Sequence, residues 1–342
     1  MSESRFKWSI IGHHHIISYL QHNINEDKVS HAYLFVGPDH VGKNTVVEYF
    51  ANSLVCENLT TKCEPIPCEK CACCRQIKNK IHPDVFWLKR EVNEKTGNFK
   101  KNISIEQIRE LQNRLNLHSF LNAYKIAVVS GAESLSQEAA NSLLKMLEEP
   151  SPKTVIILIA NNINFLPKTI ASRCQLVRFN SVSDKEISDY LVGQKVNRKK
   201  AKVITAASYG RPGIAIEYLT DEEAFSAYQE KVKSFCSLHR ADTLERFKVV
   251  SEIANFSDAD QIVEALNIWS RAIRDVVLIK SLNKELIGHR FLLSELSRLA
   301  SVYQNKKIVQ VLNEIDLTKM YLRANVNPRL VLENLVLNLP VA

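Results

Sequence analysis

The feature that most constrains this chain is a change of rhythm near Asn180. Before that point, short apolar runs alternate with amphipathic segments. His31–Gly37 (HAYLFVG), Asp84–Lys89 (DVFWLK), Lys125–Val129, Thr154–Ala160 (TVIILIA) and Leu176–Phe179 read as strands, and Asn44–Leu54, Ser104–Leu117 and Gln137–Leu147 as helices. In the second helix Ile105, Ile108, Leu111 and Leu115 recur at helical spacing, and Ser104 with Gln107 forms a capping box. Such alternation predicts a parallel sheet covered on both faces. Beyond Asn180 the strands stop. Asp184–Leu191, Arg198–Ala207 and Pro212–Leu219 read as short helices around Gly210. Amphipathic segments then run through Ala224–Ser237, Thr243–Asn255, Ala259–Lys280, Phe291–Asn305, Lys307–Ala324 and Arg329–Leu337. The sequence therefore predicts an α/β domain over 1–180, a small helical domain over 181–220 and an all-helical domain over 221–342. A length of 342 residues suits two or three domains.

Composition narrows the class further. Only 9 glycines and 10 prolines argue against a β protein built on many tight turns. No apolar run is long enough to span a bilayer, and the polar start Met1–Phe6 is unlike a signal peptide, so a cytoplasmic protein without membrane contact is expected. The formal charge of +8 permits nucleic-acid contact without requiring it. Residues 75–101 hold eight basic side chains against three acidic ones, a run that could touch phosphate and more often is a solvated face.

The cysteines are more specific. Six of the eight fall within the 19 residues from Cys56 to Cys74. Where thiols stay reduced, such a cluster points to metal rather than disulfides. Cys68-x-x-Cys71-x-x-Cys74 has zinc-knuckle spacing, and Cys56 is the natural fourth ligand of a closed structural zinc site. The spacing leaves alternatives open: Cys63 for Cys56, Cys73 for Cys74, and His82 from outside the run.

Gly37-Pro-Asp-His-Val-Gly42-Lys43-Asn44 follows one predicted strand and opens a helix, nearly matching a phosphate-binding loop. Its glycines would let the backbone wrap phosphate oxygens, and Lys43 would add positive charge. At the last position a Ser or Thr hydroxyl would meet Mg²⁺; Asn44 offers an amide instead. The strand Lys125–Val129 should end in a metal-binding Asp beside a Glu, yet it runs into Ser130 and Gly131, with Glu133 expected to point elsewhere. Hydrolysis is not expected of this loop, and ATP binding without hydrolysis stays open. A glycine turn capping a helix is the structural alternative.

With these motifs in view, the chain resembles the delta-prime family of bacterial DNA polymerase III clamp-loader subunits, a branch of the AAA+ proteins. The resemblance rests on Ser30-His31-Ala32-Tyr33-Leu34-Phe35, the degenerate loop, the inserted cysteines, the run Ala139–Pro150 containing Leu143-Leu144-Lys145-Met146-Leu147-Glu148-Glu149-Pro150, and Ser172-Arg173-Cys174. Asn325–Leu330 is a weaker match. The resemblance implies an AAA+ nucleotide-binding fold, a helical lid and a collar that joins motor and delta subunits in a hetero-pentamer. That ring loads the sliding clamp onto primer–template DNA. It also implies a stator that does not hydrolyse ATP but lends Arg173 to a neighbour's ATP site as an arginine finger, and zinc on Cys56, Cys68, Cys71 and Cys74. Active relatives carry a lid arginine where this chain has Ile214.

Two alternatives compete. An active, motor-like AAA+ clamp-loader ATPase would want Ser or Thr at 44 and acids at 130 and 131. A zinc-containing nucleic-acid-binding protein outside any ring would leave the long helical region without a purpose. His13-His14-His15 reads as a partly exposed helix start rather than a metal site, and Trp269 as core.

Overall fold

The computed structural model describes residues 5–61, 65–93, 97, 99–117, 124–255 and 259–340. These divide into two compact units, Met1–Ile187 with Arg211–Gly213, and Ser188–Gly210 with Ile214–Ala342.

The first unit contains α1 (His14–Asn25), β1 (Ala32–Val36), α2 (Lys43–Val55), α3 (Glu57–Thr61), α4 (Ala72–Lys78), β2 (Val85–Leu88), α5 (Ile105–Asn116), β3 (Lys125–Ser130), α6 (Gln137–Glu148), β4 (Thr154–Ala160), α7 (Lys168–Ala171) and β5 (Gln175–Arg178). All five strands run parallel, in the order β2-β3-β4-β1-β5. Every residue of β4 is buried, which is why that strand reads as an unbroken apolar run rather than an alternating one. One face packs Tyr33, Phe35, Ile126, Val128 and Ile157 against Val46, Val47, Phe50 and Leu54 of α2. The other packs Leu34, Ala127, Val129, Ile156 and Leu158 against α5 and α6. The capping box at Ser104 is present: its hydroxyl accepts from Gln107 N–H, and Gln107 Oε1 accepts from Ser104 N–H at 3.1 Å.

Parallel strands send their carboxyl ends to one edge. There β1 lies between β4 and β5, and the crevice outside the carboxyl ends at such a point is where ligands bind in open α/β sheets. The topology alone therefore gathers the loops after β1, β3 and β4.

From Asp184 onward the chain is helical: α8 (Asp184–Gly193), α9 (Arg198–Ser208), α10 (Pro212–Thr220), α11 (Glu222–Ser237), α12 (Thr243–Ala254), α13 (Ala259–Lys280), α14 (Leu293–Val302), α15 (Asn305–Arg323) and α16 (Pro328–Leu337). The second unit has its own core around Phe235, Trp269, Ile273, Val311, Ile315 and Leu332. Trp269 is buried there, as its spacing predicts. No helix among the described residues is long and apolar enough to cross a membrane.

His239 is fully buried in this second unit. Its Nδ1 donates to the Phe235 carbonyl at 3.1 Å, and its Nε2 accepts from the Tyr303 hydroxyl at 2.6 Å. Burial depresses its pKa from 6.5 to about 4, so the folded state binds this proton less readily than the unfolded chain. Its stabilising contribution is complete above pH 6.5 and is lost as pH falls toward 4, by up to about 3 kcal/mol. Thermal melts of wild type should lose stability across that window. His239→Gln should lose less over the same interval. Equal pH slopes for the two would contradict this assignment.

Candidate functional site

Glycine is required at two points of the phosphate-loop-like turn. At Gly37 a Cβ would come within 2.3 Å of the Phe179 carbonyl oxygen. Gly42 caps α2 at φ 107°, a left-handed conformation that side chains disfavour. Between them the turn delivers Lys43 as the first residue of α2, and that side chain is buried.

The Lys43 ammonium is occupied by the protein itself. It donates to the Gly37 carbonyl, to the Pro38 carbonyl at 2.7 Å and to Asn161 Oδ1 at 3.0 Å. Asp39 stands 3.9 Å away. Burial lowers the Lys43 pKa, and Asp39 and Glu133 partly offset that. Asn44, next along α2, is exposed.

Asn161 is the residue that sequence reading missed. It follows β4 directly, at the sheet edge where the loops converge. Besides accepting from Lys43, it donates through Nδ2 to Asp39 Oδ2 at 2.7 Å, and its backbone N–H reaches Glu133 Oε1 at 3.1 Å. A polar residue immediately after the apolar run Val155–Ala160 is the available signal. Glu133 also corrects an expectation. It does not point elsewhere: Gly131, at φ 71°, and the 3₁₀ turn Ala132–Ser134 bring its carboxylate back beside the loop. Ser130 and Gly131 themselves bring no carboxylate to the end of β3.

His13 is likewise closer to the loop than expected. It is buried, contacts the Val41 carbonyl through Nε2 at 2.9 Å and packs against Phe179. Gly213 N–H donates to the His40 carbonyl at 2.8 Å. Carbonyls of the turn are thus committed to protein partners.

Arg173 lies after α7, exposed. Its guanidinium pairs with Glu148 Oε1 at 2.7 Å and donates to the Thr169 carbonyl at 3.0 Å. Glu148 closes α6, so the Leu-Leu-Lys-Met-Leu-Glu-Glu-Pro run and the Ser-Arg-Cys turn meet in one ion pair. Cys174 is half-buried, and burial pushes its thiol up to about 12, which leaves it inert as a nucleophile.

The four expected cysteines converge. The Sγ atoms of Cys56, Cys68, Cys71 and Cys74 all lie within 4.8 Å of one another. Cys56 follows the end of α2, Cys71 caps α4 and Cys74 sits in its first turn. A tetrahedron with Zn–S bonds of about 2.3 Å has edges of about 3.8 Å, the distance between the Cys68 and Cys74 sulfurs. Backbone N–H groups of Cys68, Cys71 and Cys74 point at the sulfurs of Cys56, Cys68 and Cys71 at 3.3–3.4 Å, the donors that thiolates need. The hydrogen bond from Cys74 pulls Cys56 down to about 5, and the same bond holds Cys74 high. The donor set therefore fits a closed zinc site. Cys73 is buried outside the four, its thiol pushed up to about 11 by burial. His82 is not among the four either, and Cys63 lies outside the described residues.

Residues 12–183 match the family model described as DNA polymerase III, delta subunit. The chain belongs to this family. It is similar to the DNA polymerase III subunit delta′ of Bacillus subtilis, with 28% identity over 325 residues, 95% of each chain. The delta′ subunit of Haemophilus influenzae is 32% identical over 193 residues, 56% of this chain and 55% of that one. The tau subunit of B. subtilis is 30% identical over 236 residues, 66% of this chain and 39% of the relative. Among solved structures, a gamma-subunit-related protein of Thermotoga maritima aligns over 93% of this chain and 97% of its own, at 21% identity and a TM-score of 0.47. As a delta-prime family member the chain shares its ancestry with clamp-loader subunits, and the parallel AAA+ type of sheet agrees with that kinship.

Proposed function

We propose that the chain is the ATPase-inactive delta-prime stator of a bacterial clamp loader. In this reading it assembles in the cytoplasm with motor and delta subunits into a hetero-pentamer that loads the sliding clamp onto primer–template DNA. Residues 181–220 act as the lid, residues 221–342 form the collar, and Arg173 serves the ATP site of a neighbouring subunit. Zinc on Cys56, Cys68, Cys71 and Cys74 is structural.

One observation carries the reading: the ammonium of Lys43 is already satisfied by three oxygens of its own chain. A nucleotide phosphate would have to displace them. Asn44 offers no hydroxyl for Mg²⁺ and no carboxylate ends β3, while the Glu133 carboxylate that does reach the loop accepts from the Asn161 N–H, so hydrolysis lacks its metal ligands. Similarity to a tau subunit favours a motor-like ATPase as the second reading, but that reading needs the groups missing at 44, 130 and 131.

The pure chain should therefore show no ATP turnover, with or without DNA. Restoring a single group, as in Asn44→Thr, should not restore it, because metal ligand and water activator act as a unit. Steady hydrolysis by wild type that disappears in Lys43→Ala would overturn the stator reading in favour of the motor-like one.

A further inference from the structure

The outer edge of the sheet carries a groove that neither the phosphate loop, the zinc thiols nor Arg173 uses. β2 is the terminal strand and pairs only with β3 among the described strands. The Asp84 carbonyl accepts from Ile126 N–H on the β3 side, so by the alternation of a strand the peptide groups of Val85, Trp87 and Lys89 face outward. Two of these outward positions are engaged: Val85 N–H donates to the His82 carbonyl, and the Lys89 carbonyl accepts from Gln107 Nε2. Trp87 lies between them, and its peptide faces a groove of about 440 Å³ running along the strand. One wall is the segment before β2, with Lys80, Ile81 and His82; the other is α5, with Gln107, Glu110 and Arg114.

Two donors on residues of this lining have no acceptor among the described residues, and both are enclosed in the protein. His82 is 4% exposed, and its Nδ1 accepts from Asp84 N–H at 3.1 Å. That bond fixes the proton of the neutral ring on Nε2, which has no partner. Trp87 Nε1 is also buried without one. Buried donors left unpaired are costly, and both sit in the wall of the groove rather than open to a ligand. The rim is cationic. Lys80 lies 5.6 Å from the centre of the Trp87 ring and Arg114 lies 5.8 Å from that of Phe86. The one carboxylate of the lining, Glu110, is already paired with Arg114.

We propose that this edge is a docking strand for an extended, acidic segment of a partner protein. A strand laid beside β2 would pair its backbone with the outward peptide of Trp87 and set its carboxylates against Lys80 and, in exchange with Glu110, against Arg114. Charge complementarity with Lys80 and the outward strand edge favour this occupant over nucleic acid, whose phosphates could accept from the Trp87 N–H but would leave its carbonyl without a donor. Exposed Ile81, at the mouth of the groove, adds an apolar contact for a β-branched side chain.

The test uses the full chain and a fluorescein-labelled hexapeptide of alternating Glu and Val, followed by anisotropy and by amide hydrogen exchange. The peptide should bind and slow exchange at the Trp87 amide. A Lys–Val peptide should bind about tenfold more weakly, as should the acidic peptide to the double variant Lys80→Glu/Arg114→Glu, since rim charges steer and hold such a partner. Both substituted side chains are exposed, and an unchanged melting temperature would show that the variant still folds. Absence of binding would overturn the proposal. So would binding that leaves Trp87 exchange untouched, or that survives the charge reversal. Protection of the same amide by a dodecamer of thymidylate but not by the peptide would make the groove a nucleic-acid site instead.

Discussion

Arg173→Ala is expected to abolish hydrolysis at one ATP site of the assembled clamp loader while leaving this chain folded and incorporated. An arginine donated across an interface is worth about 10³- to 10⁵-fold in rate at the site it serves. Its planar charge meets negative charge that develops at the transferred phosphate, so clamp loading should suffer more than ATP binding. The local geometry suits the role. Arg173 is exposed after a short helix, and its partners are one carboxylate and one carbonyl at the surface. Because both ends of the Arg173–Glu148 pair are well exposed, the pair is worth little, about 0–1 kcal/mol, and can be exchanged for a phosphate without much loss. Glu148→Gln should therefore keep most activity, whereas Arg173→Lys should rescue poorly, since a point charge cannot reproduce the guanidinium fork. The measurement is clamp- and DNA-stimulated ATPase of complexes rebuilt with each variant. With the remaining sites intact, total turnover falls only in part unless the sites are coupled, so single-site occupancy assays decide the case. Rates indistinguishable from wild type would make Arg173 a structural arginine.

Much of this was legible in the sequence, for reasons that lie in specific residues. TVIILIA, a short unbroken apolar run, reads as a strand buried on both faces, and it is the fully buried β4 next to β1, buried except for the partly exposed Val36. The capping box at Ser104 was read from two residues and occurs as read. The cysteine spacing left Cys63, Cys73 and His82 as alternatives, and only packing separates them. Cys73 is turned away from the four sulfurs although it neighbours Cys74 in sequence, because adjacent residues of a helix face different directions. The occupied state of Lys43 was not legible at all. It depends on Asn161, 118 residues away, and on the carbonyl orientations of a turn, neither of which has a sequence period. Glu133 was misread for a related reason. Counting positions along β3 assumed an extended chain, whereas the left-handed Gly131 and a 3₁₀ turn reverse it. His13 shows the same limit: three histidines in a row look exposed, yet one of them supports the Val41 carbonyl from inside.

Removal of the metal should have the second-largest effect, confined to one corner of the first unit. Elemental analysis of protein purified under reducing conditions should give one zinc per chain. Binding free energies of structural zinc reach about 10–16 kcal/mol in small peptides, and here that energy would hold together segments with little core of their own. The segment from Ile66 to Cys74 is anchored through backbone bonds to Arg5 and Lys7, through Ile77 of α4, and through the sulfurs themselves. Cys71→Ser removes a ligand but leaves a hydroxyl able to cap α4, so the expected loss of stoichiometric zinc and faster hydrogen exchange in α4 would report the metal rather than the cap. The strands β1, β3 and β4 should keep their protection, because they are paired and buried independently of the cluster. Cys73→Ser should retain zinc, since that thiol stands outside the tetrahedron. Cys63→Ser tests the remaining alternative in the same way. Acid should mimic the ligand loss, because zinc competes with protons for all four thiolates and each must be deprotonated to bind. A wild-type chain that carries no stoichiometric metal, or a Cys71→Ser chain that keeps it, would reduce the four converging sulfurs to a packed cluster of free thiols.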